Sequence, residues 1–204
     1  MDLDGQGKLF RLRRTHATPF GMTDSARAKK QGVAVRIARG ADAKALGVFL
    51  TRAWEEAGPG ALGFTGATDD TIHEISTEEF LTQRIASDKA KILVAEVEGI
   101  IVGFAGLRTE GPQSVELSGM VVLRSASGAG IGTRLIRKSF ALAAKLGFRT
   151  MTVRTEVFNQ KAIAFYKKNG FTETAKETEK VGRTKVPVQV LRKMLSRTKG
   201  QLAY

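Results

Sequence analysis

The sequence predicts an α/β domain with a mixed, mostly antiparallel sheet and helices on both faces. Three observations point to it. Lys91–Val97 and Ile100–Arg108 are strand-like runs joined at Glu98-Gly99, and a third run, Ser114–Leu123, follows Gly111-Pro112. Strands linked by such short turns must alternate in direction. The third run leads through a glycine-rich loop and an amphipathic helix to a further strand, Thr150–Thr155, and a single crossover of this kind makes a parallel pair. Finally, Phe171–Thr178 and Val188–Leu195 close the domain as a second hairpin.

The regular pattern starts at Val33. Val33, Val35 and Ile37 alternate with Ala34, Arg36 and Ala38, the period of a half-buried strand. Asp42 is placed to cap the next segment, where Leu46, Phe49, Leu50, Ala53 and Trp54 recur at spacings of three and four. They form one apolar stripe on a helix running to about Ala57, with Trp54 in the core. Gly58-Pro59-Gly60 ends that helix, and a polar segment through Asp69-Asp70 leads to Ser76-Thr77-Glu78-Glu79. A Ser-x-x-Glu capping box there starts a second helix, to about Ala86. After the three strands, Leu135, Ile136, Phe140, Ala143, Ala144 and Leu146 share a helical face stopped by Gly147, and Asn159–Asn169 is a short helix ended by Gly170. The expected order is β-α-α-β-β-β-α-β-α-β-β, with no internal repeat.

Composition limits the chemistry. The 204 residues suit one domain, 42% are apolar and 26% charged, and there is no cysteine. With only His16 and His73 as histidines, cysteine nucleophiles, disulfides and Cys/His zinc sites are excluded and no metal is expected. The net charge of +13 is concentrated at the ends: residues 1–32 carry an excess of +4 and residues 192–204 another +4, leaving +5 for the body. Residues 1–32 read as a basic, mobile tail, 33–195 as the domain and 196–204 as a basic C-terminal tail. No apolar run approaches the roughly 20 residues of a membrane span, and the N-terminus lacks a signal-like segment, so a cytoplasmic protein without membrane contact is expected. Neither tail interleaves aromatic residues with its charges, which argues against sequence-specific reading of nucleic acid.

Ser127-Gly128-Ala129-Gly130-Ile131-Gly132-Thr133 lies between a strand and a helix. Such a junction aims several backbone N–H groups at one place, the helix dipole favours negative charge there, and glycines admit a phosphate close to the main chain. Arg134, Arg137 and Lys138 add charge on the first turns. A P-loop requires Gly-Lys-Ser/Thr, and Gly132 is followed by Thr133-Arg134. A dinucleotide loop requires G-x-G-x-x-G, and from Gly128 the last position falls on Thr133, although Glu156 could imitate the ribose-binding acid.

The second cluster is more specific. Asn159-Gln160-Lys161-Ala162-Ile163-Ala164-Phe165-Tyr166, followed by Gly170-Phe171, resembles the GNAT superfamily of acyl-CoA-dependent N-acyltransferases, whose pattern here is N-x-x-A-x-x-F-Y-x-x-x-G-F. The glycine loop is similar to that family's R/Q-x-x-G-x-G/A signature, with Gly130 and Gly132 in the glycine positions. Ser127 stands where a long Arg or Gln is usual, removing one side-chain grip.

The resemblance implies the GNAT fold and direct acetyl transfer from acetyl-CoA to a primary amine in a ternary complex. It further implies that Met120, Val121 and Val122 hold the pantetheine arm through the main chain. Ser127, Gly128, Ala129, Gly130, Ile131, Gly132 and Thr133 would hold the pyrophosphate, with Asn159, Ala162, Phe165 and Tyr166 completing the cofactor site. Asn159 and Tyr166, nearly two helical turns apart, face the cofactor while Phe165 points into the core. Tyr166, with an ordinary pKa near 10, is the expected acid for a thiolate of pKa near 8.5. Glu116, directly or through a water ordered by Ser118, is the expected base for an amine that is mostly protonated at neutral pH, with Glu156 as the second candidate.

His73, Asp69, Asp70 and Glu74 would border the acceptor pocket with an acidic rim suited to a cationic amine. A homodimer is the commonest assembly for a small enzyme. The competing reading is a non-catalytic acyl-CoA-binding module whose basic tails contact nucleic acid or a protein; retention of Tyr166 and Glu116 speaks against it.

Overall fold

The computed structural model describes residues 32–57, 68–181 and 184–196. Its elements are β1 (Ala34–Ile37), α1 (Ala43–Ala57), α2 (Asp69–Ile75), α3 (Glu78–Ala86), β2 (Ala90–Val97), β3 (Ile100–Gly111), β4 (Ser114–Val122), α4 (Ile131–Lys145), β5 (Thr150–Glu156), α5 (Gln160–Lys168), β6 (Thr172–Val181) and β7 (Thr184–Met194). Short 3-10 turns, Gly40–Asp42 and Arg124–Ala126, precede α1 and follow β4. The strands form one sheet in the order β1-β2-β3-β4-β5-β7-β6, in which β4 and β5 are parallel and every other pair is antiparallel. The mixed, mostly antiparallel sheet and the single crossover are as expected.

Local chemistry explains the joints. Glu98 and Gly99 both take positive φ, 52° and 77°, as a two-residue hairpin turn requires. Gly147 (φ 91°) and Gly170 (φ 85°) follow α4 and α5 in the left-handed conformation that ends helices. Both alternate sets of β2 are buried, Leu93 and Ala95 on one side, Ile92 and Val94 on the other, so both faces of the sheet are covered. Gly103, paired with Ala95, faces Ile131 and Leu135 of α4. The pair α1 and α3, packed on each other and on β3 and β2, covers the opposite side. No helix among the described residues is long and apolar enough to cross a membrane.

Six details differ from the sequence reading. The alternation at β1 is imperfect: Ile37 is exposed, Ala38 is buried and Arg36 is half-buried because its guanidinium grips Asp42 and Glu96. Asp42 caps nothing in α1. Its carboxylate accepts from Arg36 and from the Arg39 amide, and these bonds hold its pKa down at about 2 against the cost of burial. The polar segment at Asp69 is itself a helix, α2, capped by Thr68, whose hydroxyl accepts from the Thr71 amide, with Asp69 and Asp70 favourably placed in its first turn. The cap of α3 is Thr77, bonded from the Phe80 amide, and Ser76 instead terminates α2. Trp54 is half-buried, and its indole N–H donates to Asp69 at 2.7 Å, tying α1 to α2. The closing hairpin is also longer than its apolar pattern, because β6 is almost wholly exposed and so carries Glu, Lys and Thr. The expected tails at 1–31 and 197–204 and the Gly58-Pro59-Gly60 stop lie outside the described residues.

Candidate active site

The site begins where two parallel strands part. β4 pairs with β5 only through Ser114, Glu116 and the residue between them, opposite Thr150–Thr152. Beyond Glu116, β4 continues along β3, while β5 continues along β7 to Glu156. A bulge helps them separate: Leu117 faces Leu107 and Gly119 faces Gly106, which leaves Ser118 as the extra residue. Its hydroxyl donates to the Gly106 carbonyl at 3.3 Å. Between Leu117 and Val122, the edge of β4 turned towards β5 has no strand partner among the described residues. Its N–H and C=O groups are therefore left outside the β4–β5 ladder, an arrangement to which an extended amide-bearing ligand can add as a strand. Met120, Val121 and Val122 are half-buried there.

The glycine loop follows the C-terminal end of this free edge of β4. Gly128 and Gly130 take φ values of 82° and 74°, and Gly130 is the N-cap of α4 with no side-chain cap. The first bond of the helical ladder runs from the Arg134 amide to the Gly130 carbonyl (3.1 Å), so the amides of Ile131, Gly132 and Thr133 precede it. A helix start lacking a capping side chain, reached through left-handed glycines, presents its donors to an anion. The Ile131 side chain is core; Ser127, Gly128 and Gly130 are exposed, and Ala129, Gly132 and Thr133 are half-buried. The Ser127 hydroxyl turns back to the Leu123 carbonyl at 3.2 Å. Of the three cations foreseen on α4, Arg134 reaches the Val33 carbonyl (3.2 Å), and all three are exposed.

Helix α5 brings the second cluster to the same place. Asn159 is its N-cap: the side-chain oxygen accepts from the Ala162 amide at 3.2 Å, while the side-chain nitrogen donates to Glu156 at 3.5 Å. One residue thus joins the end of β5 to the helix carrying Tyr166. Ala162 is half-buried on the first turn. The aromatic pair reverses the expected inward and outward placement. Tyr166 is buried, only 7% exposed, with its ring 5.5 Å from Phe165 and 5.6 Å from Phe171, whereas Phe165 is half-buried. Phe165 lies over the loop, where a Cβ on Gly132 would sit 3.6 Å from its ring. A Cβ at position 132 would make only ordinary van der Waals contact there, so α5 rests against the start of α4. Burial, reinforced by the nearby Glu156 carboxylate, pushes the Tyr166 phenol up to about 12.

Glu116 sits at the point of separation, 4% exposed, and its two oxygens are held by different arginines. Arg108, its cross-strand neighbour, bonds Oε2, and Arg154 donates to Oε1 at 2.9 Å. Arg154 also meets Glu110 (2.8 Å), Glu177 (3.3 Å) and Glu179 (3.5 Å), so four carboxylates surround two guanidinium groups on this side of the sheet. Burial opposes ionisation of Glu110, but Arg154 outweighs it and lowers that pKa; burial and the neighbouring Glu116 raise that of Glu179. Sequence spacing carries no signal of this network, because its members come from β3, β4, β5 and β6. Glu156 is 3% exposed at the end of β5, within 3.4 Å of the Thr155 hydroxyl. His73, Asp69, Asp70 and Glu74 are exposed on α2.

Comparison with known proteins gives a consistent answer. The model of the acetyltransferase (GNAT) family matches residues 52–171. An uncharacterized N-acetyltransferase of Bacillus subtilis is 33% identical over 101 residues, 47% of this chain and 68% of its own. An uncharacterized N-acetyltransferase of Mycobacterium bovis is 30% identical over 144 residues, 69% of this chain and 90% of its own. In structure, the PaiA N-acetyltransferase of Thermoplasma acidophilum, crystallised with coenzyme A, superimposes with a TM-score of 0.61 at 18% identity, covering 80% of this chain and 99% of that one.

Proposed function

Given that the chain belongs to the GNAT acetyltransferase family, we propose that it transfers an acetyl group from acetyl-CoA to a primary amine of a small molecule or protein. The parting of β4 from β5 immediately upstream of an uncapped glycine-loop helix carries the reading. The free edge of β4 suits the amides of a pantetheine arm, the amides of residues 128–133 suit its diphosphate, and the separation of β4 from β5 directs the thioester towards α5. The solved relative holding coenzyme A supports this choice of co-substrate.

In this reading the amine nitrogen attacks the acetyl carbonyl in a ternary complex, the C–S bond breaks and the leaving thiolate takes the Tyr166 proton. The phenol retains that proton until needed because burial holds its pKa near 12. The amine's own proton passes to Glu116, directly or through water. Glu116 is reached by exchange: the exposed Arg108 guanidinium leaves Oε2 as the ammonium or a water arrives, while Arg154 keeps the carboxylate in place. Glu156, beside Tyr166, is the second candidate, and the surplus of carboxylates around Arg154 favours a cationic acceptor.

An acetyl-CoA thiol-release assay over a mixed panel of amines tests the proposal. Turnover on at least one amine is expected, and Tyr166→Phe should reduce kcat by about 100-fold or more with coenzyme A affinity within twofold. Coenzyme A binding without turnover on any amine would favour the non-catalytic module.

A further inference from the structure

Glu56 lies on the last turn of α1, and its carboxylate spans a sequence separation of 69 residues to reach the 3-10 turn Arg124–Ala126. Its Oε2 accepts from the Ser125 backbone amide at 3.1 Å, and its Oε1 accepts from the Ser125 hydroxyl at 2.9 Å. Arg52, one helical turn earlier, donates from Nε to Glu56 (3.0 Å) and from Nη2 to the Ser125 hydroxyl (3.0 Å). A carboxylate, a guanidinium, a hydroxyl and a main-chain amide thus form one clasp between α1 and the end of β4.

The clasped turn is the entry to the glycine loop. Ala126 is fully buried, the Ser127 amide bonds back to the Arg124 carbonyl at 3.2 Å, and Gly128 then turns into the left-handed region. Residues 128–133 have no side-chain cap to fix them at Gly130. Their upstream end is held where Glu56 accepts from the Ser125 backbone amide, while Ile131 anchors the downstream end in the core. A carboxylate this near an anion site would oppose the anion by charge. The ion pair with Arg52 offsets that repulsion and preserves the geometric effect.

We infer that Glu56 is a positioning residue for the coenzyme A diphosphate, holding the glycine loop in its binding conformation through Ser125. The inference rests on the proposed assignment of residues 128–133 to that diphosphate. Holding the loop in advance removes an ordering cost from binding, so its loss should appear in affinity rather than in the chemical step.

The test measures coenzyme A affinity by calorimetry without acceptor, and acetyl-CoA KM, kcat and thermal midpoint with it, for the full chain and for Glu56→Gln, Ser125→Ala and the double variant. Glu56→Gln should weaken coenzyme A binding and raise KM about tenfold, with kcat within twofold. Ser125→Ala, which keeps the amide, should lose less. The double variant should be no worse than Glu56→Gln, since both changes break one interaction. Wild-type affinity in Glu56→Gln, a kcat loss equal to the affinity loss, or additive effects in the double variant would overturn the inference. If Glu56→Gln does not fold, Glu56→Asp, whose shorter side chain cannot reach both Ser125 groups, is measured in its place, and wild-type affinity there overturns the inference. A wild-type chain that binds no coenzyme A would instead refute the loop assignment, and the inference with it.

Discussion

Tyr166 suits a general acid because the fold surrounds its ring with Phe165 and Phe171 and sets the Glu156 carboxylate nearby. Both influences disfavour the phenolate, so the acid form persists through the neutral and mildly alkaline range. The kcat of the wild-type chain should therefore show no fall between pH 8 and 10 from ionisation of this group; a phenol at its ordinary value would already be half ionised near pH 10. Glu116 makes the opposite prediction. Glu116→Gln should depress the rate most at low pH, where free amine is scarce and a proton acceptor matters most, and by about tenfold or more there. A pH–rate profile that keeps its shape in the variant would transfer the role to Glu156 or to water. Tyr166 and Asn159 could be singled out as candidates in the sequence because they share one motif, and Glu116 because it lies four residues before Met120 on the strand leading to the loop. The arginine clamp on Glu116 could not be read there, since Arg108 and Arg154 meet it only after β3, β4 and β5 are laid side by side.

At the scale of elements, packing decides what periodicity leaves open. Gly47 of α1 faces the Ser76 carbonyl oxygen so closely that a Cβ there would lie 2.2 Å from it, and that oxygen belongs to backbone between α2 and α3. Gly47→Ala should therefore destabilise the protein by about 1–3 kcal/mol and lower the thermal midpoint by roughly 5 °C, because neither helix can yield cheaply. Gly40→Ala, where the added carbon meets nothing within 4 Å, serves as the control and should shift it by less than about 1 °C. Equal midpoints for the two variants would contradict the packing described. The missed helix has a different cause. α2 has seven residues and a single buried side chain, Ile72, so its apolar period is too short to detect, whereas its Thr68 cap and acidic first turn were the signals available. The longer helices α1 and α4, with apolar stripes of three or more turns, were legible directly.

Across the whole molecule, the strand order sets where β4 and β5 separate. Sequence neighbours pair from β1 to β4, and the crossover through α4 follows from the glycine loop, so that half of the sheet could be read from turns and spacing. The insertion of β7 between β5 and β6 could not, because it depends on which strand best covers the far edge of β5. In that order β5 is bound to β7 along its whole length but to β4 at only three positions, so the two parallel strands share only one end of their length. A crystal structure of the chain with coenzyme A bound tests the proposed site directly. The pantetheine is expected paired along residues 117–122, the diphosphate on the amides of residues 128–133 and the sulfur within hydrogen-bonding reach of the Tyr166 hydroxyl. A diphosphate bound elsewhere, or a sulfur remote from that hydroxyl, would contradict it.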